Sequence, residues 1–478
     1  MLELTHFVGG KSYTANGAEF FDDLNPLDDS LYARVVRGTP ADVAKTVEAA
    51  TAAFPAMRDS LPQDRERWLC KAADILERDA EQFADALIDE IGSPIRKAQF
   101  EIGFSTGFLR AAAGVPRRVR GETIPSEAPG RISMSLRQPV GVVAGITPFN
   151  VPLIKAIKQS AMALATGNSF VLLPSEYAPY IGSLVGELWR EAGVPEGAFN
   201  IVYGIGAEIG DSLVSHSDVR AITFTGSSRV GKHLAQLAAR DLKKYTLELG
   251  GKSPFVVFAD ADINKAVQAA VFGMFLYQGQ VCMGSSRIFL APEIYDEFRE
   301  KYARAAASLK GGDLRSEDTV LGPIISERQR ERVRTHIANA VEHGGAIITG
   351  GEWSGHSCSA TIFENVTAPM LLRQEETFGP VTTLYTFDGL DDAIEKANDT
   401  NYGLSAAVFT QDVDKAMTFA SRVHAGMVHI NAATLHDEAH VPFGGVKDSG
   451  FGREGTEADL EIMTEWKWVT MQLGAAVH

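Results

Sequence analysis

A chain of 478 residues exceeds what a single hydrophobic core usually serves, so several domains are expected. Its formal net charge of −16, with no block of lysine or arginine, argues against nucleic acid as a partner, and no apolar run reaches the ~18–20 residues of a membrane-spanning helix. With 45% hydrophobic and 22% charged residues, the whole chain has the composition of a folded globular protein. The N-terminal MLELTHFVGGKSY has no basic segment followed by an apolar one, so the sequence reads as cytoplasmic. Cys70, Cys282 and Cys358 show no CxxC spacing and suggest neither a disulfide framework nor a zinc site.

In chain order, residues 40 to 118 carry a mostly helical pattern, and GETIPSEAPGRISMSLRQP has the turn signals and alternation of a hairpin. From residue 139, short apolar runs alternate with amphipathic segments. PVGVVAGI, SFVLL, FNIVYG, AITFTG and YTLELGG read as strands, with PLIKAIKQSAMALATG, VGELWREAG and VGKHLAQLAAR as helices between them. That order predicts a parallel sheet with crossover helices. A second α/β region begins near KSPFVVF and runs to about residue 430, and the C-terminal EWKWVTMQ has strand propensity.

The helix after Asn150 opens at Pro152 and closes near Gly167. Ile154, Ile157, Ala161 and Leu164 form its core-facing stripe, while Val151, Lys155 and Lys158 share a neighbouring face.

YGIGAEIG supplies Gly204, Gly206 and Gly210, one residue too long for a GxGxxG loop, and a plain turn explains it as well. FTGSSRVG is the better phosphate candidate, because a strand ends and a helix begins there. HDEAH places His436 and His440 four apart, yet VPFGG follows at once and stops any helix, so no metal is assigned.

Cys282 stands in GQVCMGSSR, a loop position open to a substrate, whereas a structural cysteine belongs in a periodic apolar run. Glu248 and Asn150 end two predicted strands, where ligands gather in open α/β sheets. Thiol, carboxylate and amide together suit acyl chemistry.

These segments resemble the aldehyde dehydrogenase superfamily over nearly the whole chain. TPFN, LPSE, FTGSSRVG, LELGGK, GQVC, EETFGP, NYGLSA and PFGGVKDSGFGRE occur in the family's order. GQVCMGSSR and NAATLHDEAHVPFGGVK look most like members acting on benzaldehyde, salicylaldehyde and vanillin.

The resemblance implies the aldehyde dehydrogenase fold. Residues 1–120, 141–247 and 441–460 would form a Rossmann-like cofactor domain, 248–440 an α/β catalytic domain, and 121–140 with 461–478 a β arm for a homo-oligomer, dimer or tetramer. It implies a Cys282 nucleophile, Glu248 as the base that activates water, and Asn150 as oxyanion donor. Thr147, Pro148, Glu176, Phe224, Gly226, Ser227, Leu249, Glu376 and Phe378 match cofactor positions. Val151, Lys155, Lys158, Met283, Leu435 and His436 match the substrate pocket.

Leu173 replaces a lysine common in relatives, while Glu176 can accept from ribose hydroxyls and repels a 2′-phosphate, so NAD is expected over NADP. Two readings of the lysines stand: stems packed with ammonium groups reaching solvent at the tunnel mouth, or cations attracting an anionic aromatic aldehyde. Oxidation of an aromatic aldehyde leads the alternatives, ahead of aliphatic aldehydes and semialdehydes. A coenzyme-A-acylating enzyme usually lacks the glutamate at 248, and a non-catalytic relative would not be expected to keep Cys282, Glu248, Asn150 and Glu376 together.

Overall fold

The computed structural model describes residues 2–473. Two large sheets dominate. The first runs in the order Gly450–Phe451, Lys244–Glu248, Val219–Thr225, Val142–Ile146, Ser169–Leu173, Phe199–Ile201, His6–Val8 and Lys11–Tyr13. Its five middle strands are parallel and correspond to the apolar runs read from the sequence, because a strand covered on both faces must be apolar at nearly every position. The edges differ from the all-parallel expectation. Gly450–Phe451, His6–Val8 and Lys11–Tyr13 add antiparallel pairs, and strands of two or three residues are too short to show a period in sequence.

The second sheet orders Ala346–Thr349, Thr361–Glu364, Val381–Thr386, Arg287–Leu290, Pro254–Val257, Ser405–Phe409 and Met427–Ile430, parallel except for the first pair. The predicted helical region contains Pro40–Arg58, Pro62–Arg78, Ala80–Ile91 and Ile95–Ala113. Glu122–Ile124 and Arg131–Pro139 form the expected hairpin, and Thr464–Gln472 pairs along the whole length of Arg131–Pro139. Residues 474–478 of the arm expected from the sequence lie outside the described residues. No helix among the described residues is long and apolar enough to cross a membrane.

The helix Pro152–Ala165 is buried on every side. Its apolar stripe faces the core as expected, with Ile157 and Ala161 fully inaccessible, but the lysine face is covered too. Lys158 lies 5.8 and 5.7 Å from the rings of Phe104 and Phe108 on the helix Ile95–Ala113. Replacing Ile157 by Ala should therefore cost about 2–5 kcal/mol, read as a lower denaturant midpoint; a loss below ~0.5 kcal/mol would contradict this packing.

Candidate active site

Strand ends of the first sheet supply most of the site. Lys244–Glu248 delivers Glu248 at its last residue, and Val142–Ile146 runs into the Thr147–Asn150 turn. Thr147 N–H donates to the Leu173 carbonyl at 3.2 Å, and Gly226 N–H donates to the Glu248 carbonyl at 3.0 Å. Four neighbouring strand ends are thereby tied together in two pairs.

Cys282 follows a strained turn in which Tyr277 and Gln278 adopt φ of 48° and 44°. Such backbone needs fixing from outside. Tyr277 Oη donates to the Ile91 carbonyl at 2.6 Å, and Gln278 Nε2 to the Pro323 carbonyl at 2.7 Å. Gln280 Oε1 accepts from Ile325 N–H at 3.1 Å, and its carbonyl accepts from Asn150 Nδ2 at 2.9 Å. Sequence reasoning missed the two glutamines as loop pins, since nothing local distinguishes them.

Glycine at 251 is required by close approach: a Cβ there would lie 2.2 Å from the Cys282 carbonyl oxygen. Likewise, a Cβ on Gly444, whose φ is +150°, would lie 2.5 Å from Glu248 Oε1. The half-buried Cys282 thiol is pushed up to about 12, mainly by burial, with Lys155 opposing and Glu376 and Glu248 adding to the rise. Glu248 is buried, neither of its oxygens has a hydrogen-bond partner, and burial holds its pKa well above the usual carboxylate range. Lys155 is the first charge to oppose that shift.

The expected cofactor residues gather around the same strand ends. Ser227 caps the helix Ser228–Arg240, its hydroxyl accepting from Val230 N–H at 3.4 Å, so free N–H groups face the strand ends where an anion is favoured. Phe224 and Leu249 are buried beneath that turn. Glu376 accepts from Gly251 N–H at 2.9 Å, and burial pushes its carboxyl up to about 7. Phe378, at φ 55°, sets its ring edge-on to Phe149 at 5.8 Å, and Gln329 Nε2 holds its carbonyl at 2.8 Å. Glu176 lies beside the start of the helix Gly206–Ser215, within 3.9 Å of where a Cβ on Gly206 would stand. A capped helix terminus, a carboxylate and an aromatic ring along one line of strand ends fit a dinucleotide.

On the substrate side, Thr434 Oγ1 donates to the Met283 carbonyl at 2.6 Å, tying the segment that carries buried Leu435 to the Cys282 loop. Val151 is half-buried at the start of its helix, and exposed His436 packs its ring against His429 at 5.5 Å. Residues 436–440 are irregular rather than helical, and Glu438 takes both imidazoles, at 3.0 Å from His436 and 3.6 Å from His440.

Neither sequence reading of the lysines survives. Lys155 donates to Glu454 Oε2 at 2.6 Å, and Lys158 donates to Asp437 Oδ2 at 2.9 Å with Glu454 at 3.5 Å. Both are buried, so the ammonium groups do not reach solvent, and both already hold carboxylates, so their charge is not kept for an anionic substrate. Burial alone would lower the pKa of Lys158, but Asp437 and Glu454 outweigh it and keep the group protonated. Glu454 and Asp437 were absent from the predicted site, although GFGRE and HDEAH contained them.

A thiol, a donor-free carboxylate and an amide beside a dinucleotide cradle are the layout of a nicotinamide-dependent oxidoreductase. The aldehyde dehydrogenase family profile matches residues 13–469, and the chain belongs to that family, whose members use NAD or NADP. It is 39% identical over 477 residues to vanillin dehydrogenase from Pseudomonas fluorescens, covering 99% of each chain. Benzaldehyde dehydrogenase from Bacillus subtilis is 39% identical over 467 residues, 98% of this chain and 96% of that one. The crystal structure of a salicylaldehyde dehydrogenase from Pseudomonas putida G7 in complex with salicylaldehyde superposes with a TM-score of 0.97 at 36% identity, covering 100% of both chains.

With the Cys282 thiol pushed up to about 12 by burial, its thiolate accumulates only as pH rises. Alkylation of Cys282 by iodoacetamide in the free enzyme should therefore accelerate about tenfold per pH unit between about pH 7 and 9. A plateau below about pH 8 would contradict the burial of the thiol.

Proposed function

We propose that the chain oxidises an aromatic aldehyde to the carboxylic acid through a thioester on Cys282. The observation that carries this reading is the buried, donor-free Glu248 carboxyl at the same strand ends as the Cys282 thiol and the Asn150 amide. Cys282 Sγ bonds to the aldehyde carbon, and the Asn150 Nδ2 and Cys282 backbone N–H groups receive the oxygen as it gains charge. A bound dinucleotide would accept the hydride as the carbon–hydrogen bond breaks, which leaves the acyl group on Cys282 as a thioester. Glu248 then takes a proton from water, the water oxygen bonds to the acyl carbon, and the carbon–sulfur bond breaks.

Ser227, Gly226, Phe224 and Leu249 form the pyrophosphate end of the cradle in this reading, Glu376 and Phe378 hold the ribose and ring, and Thr147 and Pro148 line the floor. The three modules expected from the sequence are part of the same reading, with the arm joining copies into a homo-oligomer. Trp466, Trp468, Met471 and Ile132 are exposed on the arm, and covering them favours association. A cytoplasmic location agrees with three free thiols.

Glu176 supports NAD over NADP, because a carboxylate beside the ribose repels a 2′-phosphate. The aromatic substrate class is supported by the vanillin, benzaldehyde and salicylaldehyde dehydrogenases among its relatives. Engagement of Lys155 and Lys158 by Glu454 and Asp437 favours, within that class, aldehydes without a carboxylate. The test is a panel of benzaldehyde, vanillin, 4-carboxybenzaldehyde, hexanal and glutarate semialdehyde with each cofactor. We expect kcat/KM for benzaldehyde with NAD to exceed that for 4-carboxybenzaldehyde, and that with NADP, by about tenfold or more. A preference for hexanal or the semialdehyde would overturn the aromatic reading, and one for NADP the role of Glu176.

A further inference from the structure

Lys155 and Lys158 face an antiparallel bridge between Phe443 and Glu454. This one turn carries the Phe443 ring, 5.0 Å from Lys155 Nζ and 4.8 Å from Lys158 Nζ, together with the Glu454 carboxylate and the glycine that makes room for Glu248. Lys155 therefore borders Phe443 while Glu248 borders the next residue, Gly444.

Donors and acceptors there are unevenly spent. An ammonium has three N–H groups. Among the described residues Lys155 places one of them, on Glu454 Oε2. Both Glu248 oxygens and Glu454 Oε1 are buried without a donor. Lys158 divides its charge between Asp437 and Glu454, which leaves Lys155 the less neutralised of the two.

We propose that Lys155 is a positioning residue for both half-reactions: its ammonium, anchored by Glu454, supplies the positive charge that eases ionisation of Cys282 and Glu248 against their burial. The proposal rests on the roles of Cys282 and Glu248 given above. Burial disfavours both ionised forms, and in each case Lys155 is the foremost charge opposing it. The other charges facing Glu248 are Glu454, which repels, and Lys158 and Arg453, which attract; Cys282 faces Glu376 and Glu248, which both repel. Arg453 is turned to the Gly445 and Gly452 carbonyls at 2.8 and 2.6 Å, and Asp459 lies behind Glu454 with its carboxyl pushed up to about 7 by burial.

The test uses full-length Lys155→Met, Lys155→Gln and Lys155→Arg. Met removes charge and hydrogen bond, Gln keeps a donor for Glu454 without charge, and Arg keeps the charge. Two rates are read against pH: iodoacetamide alkylation of Cys282 without aldehyde or cofactor, and breakdown of the acyl-enzyme formed from benzaldehyde and NAD. We expect Met and Gln to slow alkylation at pH 8 about tenfold and to move the deacylation profile about one unit to higher pH, with Arg within about threefold of wild type. If the Met variant does not fold, the Gln variant carries the test. Wild-type profiles in the Met or Gln variant overturn the proposal, and so does a loss equal at every pH that Arg does not rescue. Aldehyde oxidation that survives complete alkylation of Cys282 in the wild type instead overturns the thiol reading itself.

Discussion

The centre of this enzyme is governed by the cost of burying charge. Glu248 is 3% exposed and neither oxygen is hydrogen-bonded, a setting in which an isolated carboxylate loses several kcal/mol of solvation. A carboxylate so placed is strongly basic once ionised and reluctant to ionise. Its neighbours divide around that fact: Glu454 repels it, while Lys155, Lys158 and Arg453 attract it. The same balance reaches Cys282, whose thiol is also held neutral by burial.

The fold meets this constraint by bringing distant segments to one edge. Parallel strands put their C-terminal ends side by side, so Glu248 and the Thr147–Asn150 turn arrive together without any local sequence relation. The Phe443–Glu454 bridge then closes over them, and the Cys282 loop is pinned from beyond by Ile91, Pro323 and Ile325. Glycines at 251 and 444 are the points where backbone has to pass the Cys282 carbonyl and the Glu248 carboxyl at contact distance.

How much of this was legible depended on range. The five parallel strands and the helix Pro152–Ala165 announce themselves through apolar runs and Pro152, which are local signals. Glu248 and Asn150 stood out at predicted strand ends and Cys282 in a glycine-flanked loop, each within a motif of fixed order. The state of Lys155 and Lys158 was not legible, since Glu454 lies 299 residues from the first and Asp437 279 from the second. Periodicity reports which face of a helix a residue occupies, not what packs opposite. The short antiparallel edge strands escaped for a related reason, as two or three residues carry no period.

The central claim is that acyl transfer passes through Cys282 and that Glu248 releases the product. Its most direct measurement is the intact mass of the Glu248→Gln variant after mixing with benzaldehyde and NAD, followed by peptide mapping. The account predicts a stable benzoyl adduct on the peptide containing Cys282, absent from Cys282→Ala. An unmodified Glu248→Gln protein that keeps turning over at the wild-type rate would contradict it.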